Sequence, residues 1–137
     1  MTMSEPPLNS SASAQLIVTE ADLASALRFE RGDDFPPVFA TARMVALMEV
    51  AAARRLIPHL QEGEMSVGVA VDISHSAPTP VGATVTATAK FIGRDGKLFV
   101  FEVAASDDAG EVGRGTHKRA IVSASRLVSG AMKRFNR

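Results

Sequence analysis

A long apolar stretch, Pro36–Leu60, limits what this chain can fold into more than any other part of the sequence. Between Ala42 and Ala53 its charged residues are Arg43 and Glu49, so a helix here is apolar on nearly every side. Such a helix is stable in water only when other elements cover it. The sequence therefore predicts one long, buried helix around which the rest of the chain is arranged.

Prolines mark both ends of this helix. Pro36 and Pro37 suit the first turn of a helix, whereas Thr41 is a good N-cap for a helix that starts later. We favour the later start. Because Pro58 blocks continuation, we expect the helix to end within Ile57–Leu60.

Glu49 is the unusual residue of the helix. Its helical partners would lie three and four residues away, and those positions hold Val45, Ala46, Ala52 and Ala53. An unpaired carboxylate is costly to remove from water, so Glu49 either receives hydrogen bonds from elsewhere in the fold or stays protonated. Both arrangements are typical of an active site. The alternative is a structural carboxylate held by the backbone or by a distant cation.

Most of the remaining chain alternates apolar and polar residues, as half-buried strands do. A reverse-turn signal at Asp95–Gly96 predicts a hairpin, and a second turn at Asp107–Gly110 extends it into a meander of three strands. Glu20–Leu27 is predicted as a weak helical or turn segment. The predicted strands are Gln15–Val18, Met65–His75, Thr84–Ile92, Lys97–Ala105 and Glu111–Ser123.

This order of elements predicts an α+β fold in which one antiparallel sheet wraps around the central helix. We expect residues 15–130 to form a single domain, because 137 residues of 46% hydrophobic composition supply one core. Residues 1–14 are expected to be a disordered tail and residues 131–137 a frayed basic end. The edge strands and part of the helix stay uncovered in such a fold, which predicts at least a dimer.

Composition excludes several function classes. Fifteen basic and fifteen acidic residues give no net charge, and Trp and Tyr are absent, which argues against a nucleic-acid or anionic-membrane partner. Without cysteine the chain has no disulfide framework and no thiolate nucleophile, which fits a cytoplasmic location. The start lacks the pattern of a signal peptide, and the apolar run is too short and too charged to span a membrane.

His75 is the second candidate for a catalytic role, because it ends the apolar face of a strand and precedes a bend at Ser76–Pro80. The alternative is a core histidine bonded to a carbonyl. His59, in the last helical turn, and His117, on a strand near Arg119, are weaker candidates. The three histidines lack the spacing of a metal site, so no metal is expected.

Arg119 is open to two interpretations, an anion contact or, more commonly, a solvated strand residue. Gly113 and Gly115 lie in the same predicted strand. Glycine inside a strand indicates close approach of a neighbouring backbone or of a ligand.

Three separated blocks of the sequence resemble the hot-dog-fold thioesterases of the fluoroacetyl-CoA thioesterase type. The blocks are VFATARMVALMEVAAARRLIPHL, SVGVAVDISHSAPTPVGATVTATAKF and EVGRGTHKRAIV, and the match spans about Phe35–Val122. The resemblance implies a hot-dog fold and the hydrolysis of a short or small acyl-CoA to the free acid and CoA. It also implies that CoA enters as part of the substrate, with no separate cofactor. Whether the expected homodimers pair further into tetramers stays open.

Carried over residue by residue, the resemblance implies a catalytic set of Thr41, Glu49 and His75. Gly68 and Arg119 fall at positions that contact the thioester substrate, and Arg119 is expected to help hold the CoA portion. These roles follow from the resemblance and not from the spacing of the residues.

Two phenylalanines are assigned to the acyl end of the substrate. Phe35 matches an aromatic residue at the pocket mouth, and Phe39 is expected to flank the acyl group with it. Ala42, followed by Arg43, departs from the family pattern, which has Gly after the Thr. The added side chains reshape the entrance, so the sequence leaves the acyl group open.

Two other functions compete with the thioesterase. One is a catalytically silent acyl-CoA-binding protein that keeps the fold, although a partnerless Glu49 argues against an idle site. The other is a hot-dog hydratase, whose chemistry relies on an Asp/His pair in a different motif that the sequence does not show.

Overall fold

The alternating segments of the sequence form one antiparallel sheet in the computed structural model, which describes residues 4–136. The strands are β1 (Ser11–Ile17), β2 (Glu64–His75), β3 (Thr84–Asp95), β4 (Leu98–Asp107) and β5 (Gly110–Ser123), and the helices are α1 (Thr41–Leu56) and α2 (Ala124–Phe135). Single turns of 3-10 helix occupy Glu20–Asp22, Ala24–Ala26 and Ile57–His59. The sheet order is β1-β3-β4-β5-β2, and the predicted α+β architecture is confirmed.

Helix α1 begins at Thr41, in agreement with the later start favoured above, although Ala40 and not Thr41 is the N-cap residue. It ends at Leu56, and Pro58 lies in the 3-10 turn that follows. The helix packs mainly on β1 and β3. Its buried side includes Met44 and Met48, which lie against the aromatic core of Phe91, Phe99 and Phe101.

The other side of α1 is open in the single chain, in agreement with the prediction that part of the helix stays uncovered. Because α1 lies toward the β1 and β3 side of the sheet, nothing in residues 4–136 covers the side that faces β2. The apolar residues left exposed there are Ala42, Ala46, Val50 and Ile57 on or just after the helix, and Val69 and Val71 on β2.

A β-bulge divides β2 into two halves. The pairing with β5 shifts between Gly68, which lies opposite Arg119, and Ala70, which lies opposite Lys118. Paired residues of antiparallel strands share a face, so Gly68 and His75 both face α1 although one is even and the other odd. The predicted unbroken odd-numbered face of this strand is therefore wrong, since the bulge at Val69 exchanges the faces.

Residues 11–14, predicted as part of a disordered tail, belong to strand β1. Strand β1 begins at Ser11, pairs with β3 from Ser11 opposite Lys90, and buries Ala14. An edge strand needs backbone partners and a few small inward side chains, which the Ser and Ala composition supplies. Residues 1–3 of the predicted tail lie outside the described residues.

The predicted frayed end is also wrong where the structure describes it, because α2 extends through residues 131–135. Ser123 caps it by accepting a hydrogen bond from the backbone N–H of Arg126 at 3.3 Å. Leu127, Val128, Met132 and Phe135 on this helix are exposed. Arg137 lies outside the described residues, and between residues 4 and 136 no helix has the length and hydropathy needed to cross a bilayer.

Candidate active site

Thr41 and His75 meet at the start of α1. The distance between Thr41 Oγ1 and His75 Nδ1 is 2.7 Å, although the two residues are 34 positions apart in sequence. The first helical turn carries Thr41, and the inward face of β2 ends at His75. Within residues 4–136 the buried Nε2 atom of His75 has no hydrogen-bond partner. The second nitrogen of the imidazole is therefore a buried polar atom that the described residues leave without a hydrogen bond.

A cavity of about 380 Å³ opens at this pair. Its wall is formed by the first turn of α1, the segment before it and the bend after β2: Ala24, Pro36, Val38, Phe39, Thr41, His75, Ser76, Ala77 and Pro78. The lining is mostly apolar with a few polar groups, which is the usual character of a small-molecule site. Phe39 is 1% exposed and part of this wall, whereas Phe35, four residues before Phe39, is 47% exposed.

Glu49 has a cationic partner, although none lies near it on the helix. Nη1 of Arg119, from β5, donates a hydrogen bond to Glu49 Oε2 at 3.0 Å. The two residues are 70 positions apart in sequence, so helical spacing gave no sign of the contact. Of the two alternatives predicted for Glu49, hydrogen bonding from elsewhere in the fold is the one observed. Its side chain remains 40% exposed in the single chain.

Arg119 is not a solvated strand residue, because it is 6% exposed. Besides the bond to Glu49, its Nε donates to Ser66 Oγ and its Nη2 to the Ser66 carbonyl oxygen, each at 3.0 Å. Burial lowers the pKa of this guanidinium and the neighbouring Glu49 acts in the opposite direction. The side chain is thus held rigidly inside the protein by several acceptors. Its predicted role in holding CoA stays a prediction.

His117 is the functional candidate that sequence reasoning underrated. It is 1% exposed, its Nδ1 lies 2.8 Å from the Ala70 carbonyl oxygen, and its Nε2 lies 3.1 Å from Arg119 Nη1 and 4.0 Å from Glu49 Oε2. The available signal was its two-residue spacing from Arg119, which places both side chains on one face of β5.

Gly68 completes this second cluster by leaving space for the carboxylate. A Cβ atom built at Gly68 would overlap Glu49 Oε2 and lie 3.3 Å from both Glu49 Cδ and His117 Cε1. Gly113 plays a similar part toward the helix, since a Cβ there would meet Met44 Sδ at 2.6 Å. The close approach predicted at Gly113 and Gly115 is therefore made by α1 and β2 of the same chain.

The predicted catalytic residues fall into two clusters within one chain. Thr41 and His75 form the first, and Glu49 with Gly68 and Arg119 forms the second. Eight residues of α-helix between Thr41 and Glu49 correspond to a rise of about 12 Å, so the clusters do not touch directly. Among residues 4–136 no group of three or more metal-ligating side chains is present.

Comparison with known proteins supports a thioesterase relationship. A family model described as FlK, fluoroacetyl-CoA-specific thioesterase, matches residues 18–125. The fluoroacetyl-CoA thioesterase of Streptantibioticus cattleyicolor is 46% identical over 89 residues, which are 65% of this chain and 64% of that protein. The chain therefore matches just under two thirds of the length of this curated relative.

Solved structures agree with this relationship. The fluoroacetyl-CoA thioesterase FlK superposes with a TM-score of 0.89 at 33% identity, covering 95% of this chain and 98% of FlK. A mutant of FlK in complex with fluoroacetate and CoA superposes with a TM-score of 0.83 at 35% identity, covering 88% of this chain and 98% of the other. The predicted hot-dog fold is thereby confirmed. Because the family model matches well over half of the residues of this chain, the protein belongs to the fluoroacetyl-CoA-specific thioesterase family.

Proposed function

We propose that this protein is an acyl-CoA thioesterase that hydrolyses a short or small acyl-CoA to the free acid and CoA. The observation that carries the proposal is the 2.7 Å contact between Thr41 and His75 in the wall of an apolar cavity. Glu49, held by Arg119 further along the same helix, supplies the carboxylate of the set. A family relative with fluoroacetate and CoA bound supports the substrate class.

The chemistry requires a nucleophile at the thioester carbonyl and a proton for the departing thiolate. Glu49 either attacks the carbonyl carbon or removes a proton from an attacking water. His75, with a free Nε2, carries a proton between the reacting groups. Thr41 orients the imidazole through its hydroxyl group, and backbone N–H groups at the start of α1 polarise the carbonyl oxygen.

We also propose that the working unit is a homodimer with active sites at the subunit interface. The exposed apolar residues of α1 lie next to β2, whose outer edge has no strand beside it among residues 4–136. Pairing β2 with its own copy would satisfy that edge and cover those residues. An antiparallel pairing also brings the Gly68 half of one strand toward the His75 end of the other, so a substrate at the interface can reach both clusters.

The test is CoA release from a panel of acyl-CoA substrates, followed with a thiol reagent. The chain has no cysteine, so the enzyme itself adds no background to the reading. Glu49→Gln and His75→Ala should each lower kcat about a hundredfold or more, with a milder loss for Thr41→Ala. The combined variant should lose much less than the product of the single losses, because the residues act as one unit.

The matched control is Glu62→Gln, the same change at an exposed turn position, which should leave kcat unchanged. Near-native turnover by a folded Glu49→Gln enzyme would rule out this mechanism. Acyl-CoA binding without any release of CoA would identify a silent binding protein, and addition of water to an enoyl-CoA would identify a hydratase.

A further inference from the structure

The hydrogen bonds of His117 define its tautomer. A carbonyl oxygen can only accept, so the 2.8 Å contact with the Ala70 carbonyl requires a proton on Nδ1. An N–H of Arg119 can only donate, so the 3.1 Å contact at Nε2 requires a lone pair there. Both contacts are satisfied by one species, the neutral imidazole with its proton on Nδ1.

The surroundings keep this imidazole neutral. Burial lowers the pKa of His117 from its usual 6.5, the Ala70 carbonyl raises it, the positive charge of Arg119 lowers it further, and Glu49 raises it. The charged groups that the structure places around the ring are Arg119 on its own strand and Glu49 on α1, with an uncharged carbonyl of β2 on the third side. Protonation of His117 would place a second positive charge beside the guanidinium. It would also remove the lone pair on Nε2 that accepts the hydrogen bond from Arg119.

We propose that His117 is a positioning residue for the thioesterase site, which fixes Arg119 against Glu49 by accepting a hydrogen bond from Nη1. This inference rests on the proposed function, because it gives the Glu49 carboxylate a role in hydrolysis. The guanidinium is held at three points: Ser66 binds Nε and Nη2, while His117 and Glu49 share Nη1. Ser66 anchors two nitrogens of this planar group, and without His117 the third nitrogen, Nη1, would be held by Glu49 alone.

The β2 bulge explains why this arrangement exists. In a regular strand without the bulge, Gly68 and His75 would lie on opposite faces of the sheet. With His75 facing α1, Gly68 would then point away from Glu49. Ala70, the residue that follows the bulge, supplies the carbonyl that accepts the Nδ1 proton of His117. The bulge thus supplies both the space for the carboxylate and the acceptor that fixes the imidazole.

Two uncharged substitutions of His117 distinguish the roles of its two ring nitrogens, Nδ1 and Nε2. In His117→Asn the amide can replace the Nδ1–H donor but does not reach the Nε2 position, whereas in His117→Gln an amide oxygen can occupy the Nε2 position and accept from Arg119. We expect His117→Gln to keep kcat within about threefold and His117→Asn to lower it about tenfold to a hundredfold. Equal kcat values for the two folded variants would overturn the proposal.

Nitrogen NMR gives a readout that does not depend on activity. The ¹⁵N shifts of His117 in the wild-type protein at neutral pH should show a protonated Nδ1 and an unprotonated Nε2, and the Nη protons of Arg119 should exchange faster in His117→Asn than in His117→Gln. A proton on Nε2 of the wild-type ring, or unchanged Arg119 exchange, would refute the positioning role. If the NMR results are as expected but no acyl-CoA is hydrolysed, the proposed function fails while the positioning of Arg119 stands.

Discussion

Gly68→Ala tests the placement of Glu49 with the smallest possible change, one methyl group. The new Cβ would overlap Glu49 Oε2 and lie 3.3 Å from Glu49 Cδ, so the carboxylate must move by about 1 Å to restore van der Waals distance. Because the Glu49 side chain is 40% exposed, it can swing aside at little cost to folding. A misplacement of about 1 Å lowers a rate on the order of a hundredfold, and we expect that loss in kcat.

The assay is CoA release at saturating substrate, together with thermal unfolding to confirm that the fold is kept. Gly130→Ala is the matched control, because a Cβ at Gly130 meets nothing within 4 Å and should leave kcat unchanged. Adding Gly68→Ala to a Glu49→Gln enzyme should cost much less than it does alone, since both changes act on the same group. A folded Gly68→Ala enzyme with kcat within twofold of wild type would refute the argument that this glycine positions the carboxylate.

Three further predictions concern pH, assembly and substrate. Because burial lowers the pKa of His117 from 6.5, the unfolded chain binds a proton below that pH that the folded protein does not, so the free energy of unfolding should fall as the solution is acidified. Urea titrations of His117→Gln should show a shallower fall in the free energy of unfolding as the pH is lowered below 6.5. The same dependence on pH in this variant and in the wild type would contradict the prediction. Val50→Glu on the exposed face of α1 should turn a dimer into a monomer in sedimentation equilibrium at micromolar concentration, and a wild-type monomer there would rule out the dimer. Acetyl- or propionyl-CoA should have a higher kcat/KM than palmitoyl-CoA, since Phe39 and the prolines narrow the cavity; the reverse order would contradict the short-acyl assignment.

The sequence predicted the helix and the meander well, because their signals are local. Pro58 and the apolar run bounded α1, and the Asp95–Gly96 dipeptide located the hairpin between β3 and β4, with Gly96 at a φ of 61°. Helix α2 was missed although Leu127, Val128, Met132 and Phe135 have helical spacing, since the basic residues of 131–137 favoured a frayed end. The N-terminal part of β1 was missed because backbone pairing leaves no pattern in a run of Ser and Ala.

The catalytic roles that the resemblance implies for Thr41, Glu49 and His75 stay predictions. The structure brings Thr41 and His75 into contact, which no local pattern in the sequence indicated. The pairing of Glu49 with Arg119 depends on how β5 lies under α1, which no local pattern encodes. The bulge at Val69 has no sequence marker such as Gly or Pro at the bulged residue itself, and a one-residue shift in register changes the face of every later side chain.

The sheet order has a consequence for the order of events in folding. Strands β3, β4 and β5 are neighbours in sequence and in space, whereas β2 joins β5 from the far side of both intervening strands. Closing the 70-residue separation between Glu49 and Arg119 costs on the order of 4 kcal/mol in chain entropy. We therefore expect the meander to form early, with the Arg119 guanidinium still hydrated, and the active site to be completed only as α1 and β2 dock. In pulse-labelling hydrogen exchange the amides of β4 should gain protection before those of β2, and simultaneous protection would contradict this order.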